Sequence, residues 1–178
     1  FFLIVATIAS LGKASEAFLI LRAHEIGLAI TLIPIAYFAY SITAALLGTP
    51  IGMLADRIGK RNTFVAGLLV FALAYIGFSF TSSLGAFWLL LILYGLYSAL
   101  TEGVGRAIVA GLVASDVRAT AFGIYNAATG IALLPASFAF GYLNQHFGSR
   151  LAFLFGAGVS LAAVMLYFLL RKTFQNQS

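Results

Sequence analysis

The chain has 178 residues, 62% of them hydrophobic and only 8% charged, with a mean hydropathy of +1.06. These values exclude a soluble domain and describe an integral membrane protein. A net charge of +5 does not point to nucleic acid, because most cations sit at the ends of apolar runs, and the absence of cysteine excludes disulfides, thiolate metal sites and cysteine nucleophiles.

A helix needs about 20 apolar residues to cross the hydrocarbon core. The pattern predicts six spans, over 2–22, 28–54, 63–81, 86–110, 119–142 and 150–170. Helices are preferred over a β-barrel because the apolar runs are continuous and do not alternate. The first span starts inside a hydrophobic run with no Met, basic segment or cleavage site, so the chain reads as a piece of a longer one. Lys13 and Glu16 fall deep in it, on one helical face with Ile20. Ionisable groups at that depth cost about 2.5–3.5 kcal/mol each in lipid, so they face a partner, a cavity or an ion path. Either they neutralise each other or they line a translocation cavity, with Glu16 available to carry a proton.

The second span holds Tyr37 and Tyr40 and ends in Gly52-Met53-Leu54-Ala55-Asp56-Arg57-Ile58-Gly59-Lys60-Arg61, a turn carrying four of the fifteen charges. Gly52 and Gly59 allow close helix approach and a tight turn. Asp56 is placed to face the positive end of a neighbouring helix or a basic side chain, a contact that would latch this face. Arg57, Lys60 and Arg61 either pair across the bundle, sit among anionic headgroups or serve only to fix topology.

The fourth span contributes Tyr94, Tyr97 and Thr101, followed by Glu102 and Arg106, four residues apart in the favourable order for a helical ion pair. These two are expected to join Asp56 and Arg57 in a gate network. Tyr125, Asn126 and Thr129 in the fifth span add polar groups to a cavity, Asn126 above all, since a buried amide needs a partner. Pro34, Pro50 and Pro135 read as tolerated kinks, and Ala128, Ala132 and Ala136 as a close-packing face.

Seven cations, Arg57, Lys60, Arg61, Arg106, Arg118, Arg171 and Lys172, fall on one side, against Arg22 and Arg150 on the other. By the positive-inside rule the Asp56 turn and the C-terminus are cytoplasmic. A shift of 89 residues lays Gly141–Arg150 over the Gly52 run, matching Gly52, Leu54, Gly59 and Arg61 and pairing Phe64 with Phe153 and Gly67 with Gly156. Units 1–89 and 90–178 would each hold three spans, and an odd number of crossings makes the repeat inverted, a plan recurrent in secondary transporters. No protease, hydrolase or zinc motif and no phosphate-binding Gly-rich loop is present, so an enzyme or an ATP-driven pump is not expected, nor is a metal or cofactor.

The Gly52-x-Leu54-Ala55-Asp56-Arg57-x-Gly59-Lys60-Arg61 run resembles the signature loop of the major facilitator superfamily. Thr101–Arg106 together with Arg118–Asn126 is similar to the fourth-to-fifth helix region of C-terminal halves in bacterial members. Gly105 and Gly111 depart from the pattern, standing where related sequences often carry acidic residues. The resemblance implies an all-α membrane domain, helices seven to twelve of a twelve-helix transporter, facing an N-terminal six-helix half of the same chain. It further implies secondary active transport of small molecules by alternating access in a bacterial inner membrane, with protons as the driving ion. The runner-up is a transporter-like sensor or assembly factor that does not transport.

Overall fold

The computed structural model describes residues 2–175, and every regular element among them is helical. Six helical spans are long and apolar enough to cross a membrane: Phe2–Glu25, Ile30–Ile58, Lys60–Phe80, Leu84–Leu112, Ser115–Phe147 and Ser149–Arg171. They match the predicted spans to within a few residues, but the first and fourth are interrupted. The side chain of Lys172 lies outside the described residues.

The first span comprises α1 (Phe2–Gly12) and α2 (Ala17–Glu25), separated by Lys13-Ala14-Ser15-Glu16. Backbone bonds three residues long carry the chain through the gap, from Lys13 N–H to Ser10 O (3.1 Å) and from Phe18 N–H to Ser15 O (3.0 Å). A non-α segment at this depth holds only where its backbone groups find partners. Immediately before the gap, α1 meets α8 (Ser149–Gln175) backbone to backbone. A Cβ on Gly12 would stand 2.7 Å from the carbonyl oxygen of Gly156, and one on Gly156 would stand 2.6 Å from that of Gly12. Only glycine at both positions permits this crossing.

The charged turn expected between spans two and three is barely a turn. Helix α3 (Ile33–Ile58) runs through Asp56 and Arg57, and α4 (Lys60–Phe80) begins immediately after Gly59. Leu54, Ala55, Arg57, Lys60 and Arg61 are good helix formers, so both helices extend until a residue with φ of 95° is required. Gly59 closes α3 by donating its N–H to Ala55 O at 3.0 Å. Gly148 repeats the device between α7 (Arg118–Phe147) and α8, with φ of 84° and its N–H on Asn144 O at 3.1 Å. The two glycines stand 89 residues apart.

The fourth span consists of α5 (Leu84–Ser98), a π-helical turn over Ala99–Gly103, and α6 (Val104–Leu112). Two local features accompany the widened turn. Thr101 donates its hydroxyl back to Tyr97 O at 2.8 Å, and Gly67 of α4 comes so close that a Cβ there would lie 2.6 Å from Thr101 Cγ2.

Helix α4 is the buried centre of the bundle, whereas α3 and α7 expose most of their length. Pro50 and Pro135 stand inside these two outer helices. Two apolar clusters fill the interior. One is aromatic, built on Tyr75, Phe78, Phe87, Tyr94, Phe140 and Phe153; the other gathers Phe2, Phe64, Leu68, Leu100, Val104 and Val164. A buried hydrogen bond from Ser160 Oγ to Leu68 O (2.9 Å) ties α8 to α4.

At the end opposite Gly59, Arg22 fastens three spans together. Its Nε donates to Phe78 O at 2.9 Å and one Nη to Thr81 O at 2.7 Å. The other Nη donates to Glu25 Oε2 at 2.8 Å and to Ser149 Oγ at 3.0 Å, and Ser149 Oγ in turn donates to Glu25 Oε2 at 2.6 Å. The two carbonyls belong to the open C-terminus of α4, where a cation is doubly favoured. Arg22 is 14% exposed, and its bonds to the two carbonyls and to Ser149 are partly buried, whereas Glu25 is exposed. Replacing Arg22 by Ala is expected to destabilise the folded protein by on the order of 3 kcal/mol, because it strands two partly buried carbonyls and removes the tie between three spans. Denaturant unfolding of the purified full-length protein in detergent measures this, and an unchanged midpoint would count against it.

Candidate functional site

Lys13, released from helical geometry by the break, reaches the π turn of the fourth span. Its Nζ lies 3.6 Å from Glu102 Oε1 and 6.0 Å from the centre of the Tyr97 ring. Helix α1, the π turn, α6 and α7 surround a cavity of about 180 Å³ lined in part by Lys13, Tyr97, Thr101, Glu102, Arg106 and Asn126. Tyr125 and Thr129 complete its polar wall, while Phe64, Leu68 and Leu133 supply apolar surface. Phe2 braces this wall, stacked on Tyr125 at 6.1 Å and edge-on to Phe64 at 5.1 Å.

Two sequence expectations change here. Lys13 and Glu16 do not neutralise each other: Lys13 pairs with Glu102, and Glu16 lines a different, mainly apolar cleft with Tyr37, Tyr40, Phe87 and Leu91. The break between α1 and α2 removes the common helical face on which their pairing rested. Glu102 and Arg106 form no ion pair among the described residues. Residues four apart stack in an α-helix, but the π turn moves Glu102 off that register.

Tyr94 belongs to neither opening. It is 1% exposed, packed against Tyr40 and Tyr97 at ring distances of 5.4 Å each, and its hydroxyl has no hydrogen-bond partner among the described residues. With Tyr37 on Tyr40 at 4.9 Å, these rings form an unbroken aromatic path from the Glu16 cleft to the Lys13 cavity. Aromatic pairs at such separations pack favourably and stiffen the wall between the two openings.

The expected gate residues divide between two sites. Asp56, on the last turn of α3, has Oδ1 3.9 Å from Lys60 Nζ on the first turn of α4. Asp56 and Lys60 border a groove with Gly52, Ser98 and Glu102, so Glu102 faces both this groove and the Lys13 cavity. Gly52 has open space where a Cβ would stand, so no close helix approach depends on it. Gly59, Lys60 and Arg61 line another groove with Gly111, Leu112 and Arg171, and Arg57 is exposed and borders none of these openings. A Cβ on Gly105 would lie 2.6 Å from the Tyr125 hydroxyl, so the ring of Tyr125 occupies the space an acidic side chain there would need.

The Arg22, Glu25 and Ser149 cluster was not anticipated from sequence. Its signal is slight: an arginine and a glutamate three residues apart at the end of an apolar span, and a serine just after a turn glycine. Among the described residues no group of histidine, aspartate and glutamate is arranged to hold a metal ion.

The arrangement is a half-open cavity on an apolar six-span bundle, with Lys13 largely covered and Glu102, Arg106 and Asn126 exposed, so the amide of Asn126 is not the buried group its sequence position suggested. The family model described as Major Facilitator Superfamily matches residues 1–177. An uncharacterized MFS-type transporter of Methanocaldococcus jannaschii is 34% identical over 171 residues, covering 93% of this chain and 43% of that protein. Multidrug resistance protein 2 of Bacillus subtilis is 28% identical, covering 76% of the chain and 34% of the relative. The tetracenomycin C resistance and export protein of Streptomyces glaucescens is also 28% identical, over 64% of the chain and 21% of its own length. The chain thus spans less than half the length of these relatives. With a family match along nearly its whole length, it belongs to the Major Facilitator Superfamily, a family of membrane transporters and not of enzymes.

Proposed function

We propose that this chain forms one half of a secondary active transporter working by alternating access, with the Lys13 cavity as its part of the substrate path. The observation that carries the reading is the Lys13–Glu102 pair, in which two charged side chains meet where both of their spans abandon α-helical geometry. Charges within membrane spans face partners or transport paths, and interrupted helices mark transporter sites. The names of the relatives in Bacillus and Streptomyces favour a small organic molecule as substrate. Protons are the proposed driving ion, with Glu16 and Glu102 the carboxylates within the spans able to carry them. In this reading the Gly59 end is cytoplasmic and the membrane is a bacterial inner membrane. The two three-span units form an inverted repeat, and an N-terminal half of the same chain closes the cavity. The Asp56 end of α3 acts as a latch that is released when the cytoplasmic side opens.

In proteoliposomes holding the full-length protein, Lys13→Met or Glu102→Gln alone is expected to lower substrate flux at least ~10-fold, because each strands a charge in the bundle. The double substitution should recover thermal stability without recovering flux; wild-type flux in both single variants would remove the pair from the path. Glu16→Gln should abolish substrate-driven pH change while substrate still binds. If the pH signal persists, the proton is carried elsewhere and Glu16 is a wall residue of its cleft. Asp56→Asn is expected to slow transport several-fold and leave membrane insertion intact, as measured by flux normalised to inserted protein. Equal normalised flux would reduce Asp56 to a topology residue.

A further inference from the structure

We infer that the Lys13 cavity accepts a small organic monoanion with an aromatic or apolar body. The inference rests on the reading of this cavity as part of the substrate path and adds the chemical class of the substrate. Its charged lining is Lys13, Arg106 and Glu102, two cations against one anion. Lys13 shares Glu102 at 3.6 Å, longer than a hydrogen bond, so the pair is loose enough for an incoming carboxylate to replace Glu102 on Lys13. Arg106 makes no ion pair among the described residues. Arg106 and Glu102 are exposed, whereas the Lys13 side chain is only 23% exposed, so the attraction for an anion is strongest beside Lys13, where water screens it least. One bound anion brings the lining to neutrality, whereas a bound cation would add a third positive charge beside Lys13 and Arg106.

The neutral polar groups agree with this assignment. Ser10, Thr101 and Thr129 spend their hydroxyl protons on carbonyls of their own helices, at 2.9, 2.8 and 2.8 Å. The strongest donors left for a ligand are the Lys13 ammonium and the Arg106 guanidinium, and a guanidinium matches a carboxylate in shape as well as charge. Around them stand the rings of Phe64, Tyr97 and Tyr125. The space is about 180 Å³ and is open on the side of Glu102, Arg106 and Asn126, all three exposed, so an aromatic body can enter beside these rings.

The test compares three probes of one shape on the purified full-length protein: 1-naphthoate, 1-naphthylmethylammonium and 1-naphthylmethanol, each followed by binding and by flux in proteoliposomes. Naphthoate is expected to bind at least ~10-fold more tightly than the ammonium probe, and Arg106→Gln should weaken naphthoate about 10-fold while changing the neutral alcohol little. Arg106 has no ion-pair partner to strand, so this variant retains the fold; unfolding midpoints check that. Tighter binding of the ammonium probe, with flux, would overturn the anion assignment and leave the cavity as a substrate path. Naphthoate binding untouched by Arg106→Gln and by Lys13→Met would place the anion elsewhere and overturn it as well. If no probe binds or moves, both the anion assignment and the transport reading fall.

Discussion

One ion pair, between Lys13 and Glu102, joins the two spans of the bundle that depart from α-helical geometry. Neither residue could reach the other from an unbroken α-helix whose polar face was fixed by local sequence. Lys13 gains its reach from the gap between α1 and α2, and Glu102 from the π turn between α5 and α6. Each irregularity sacrifices regular backbone hydrogen bonds at a depth where water does not replace them. Serine and threonine side chains near both breaks bond to carbonyls one turn back, and three-residue backbone bonds span the first gap. The pair then gives the largely covered Lys13 ammonium an opposite charge at 3.6 Å, on a Glu102 side chain that is itself half exposed.

Glycines locate these irregularities as much as polar residues do. Gly12 and Gly156 let α1 press on α8 just before the first break, and Gly67 lets α4 press on the π turn itself. The two breaks are thereby held against α8 and against α4, the most buried helix of the bundle, while α3 and α7 stay at the periphery. Side chains at a break supported from behind can keep a defined direction without a regular helix beneath them. The proposed exchange of a ligand for Glu102 on Lys13 requires charges held in this way.

Much of this was legible in the sequence, and the parts that were not share a cause. The six spans follow from uninterrupted apolar runs of membrane-crossing length. The Gly59 turn follows from a charged run with a glycine where a positive φ is needed, although good helix formers on both sides shortened it to one residue. Lys13, Tyr97, Thr101 and Asn126 stand out in the sequence as polar groups in apolar helices, and the fold brings them to one opening. Their partners do not stand out. Pairing Lys13 with Glu16, or Glu102 with Arg106, assumes continuous α-helix, and the two places where that assumption fails lie at close contacts between Gly12 and Gly156 and between Thr101 and Gly67, 144 and 34 residues apart along the chain. Tyr94 was misplaced for a related reason: its ring sits in the aromatic core, and a helical wheel does not show which tyrosine of a run points into a cavity.

The two ends of the bundle hold together by different means, and this bears on how such a domain can move. At the Gly148 end the contacts of Arg22 are short, partly buried, and shared among α2, the C-terminus of α4 and the N-terminus of α8. At the Gly59 end the corresponding charges are exposed, with Asp56 and Lys60 3.9 Å apart, and exposed pairs contribute about 0–1 kcal/mol. Two wide grooves separate the helix ends there. A rearrangement that splays the Gly59 end breaks contacts of little strength, whereas one that splays the Gly148 end must break the partly buried bonds of Arg22 to two carbonyls and Ser149. Between these ends lies Glu102, which lines both the Lys13 cavity and the Asp56 groove. A change in what Glu102 binds is therefore felt first at the end that resists least.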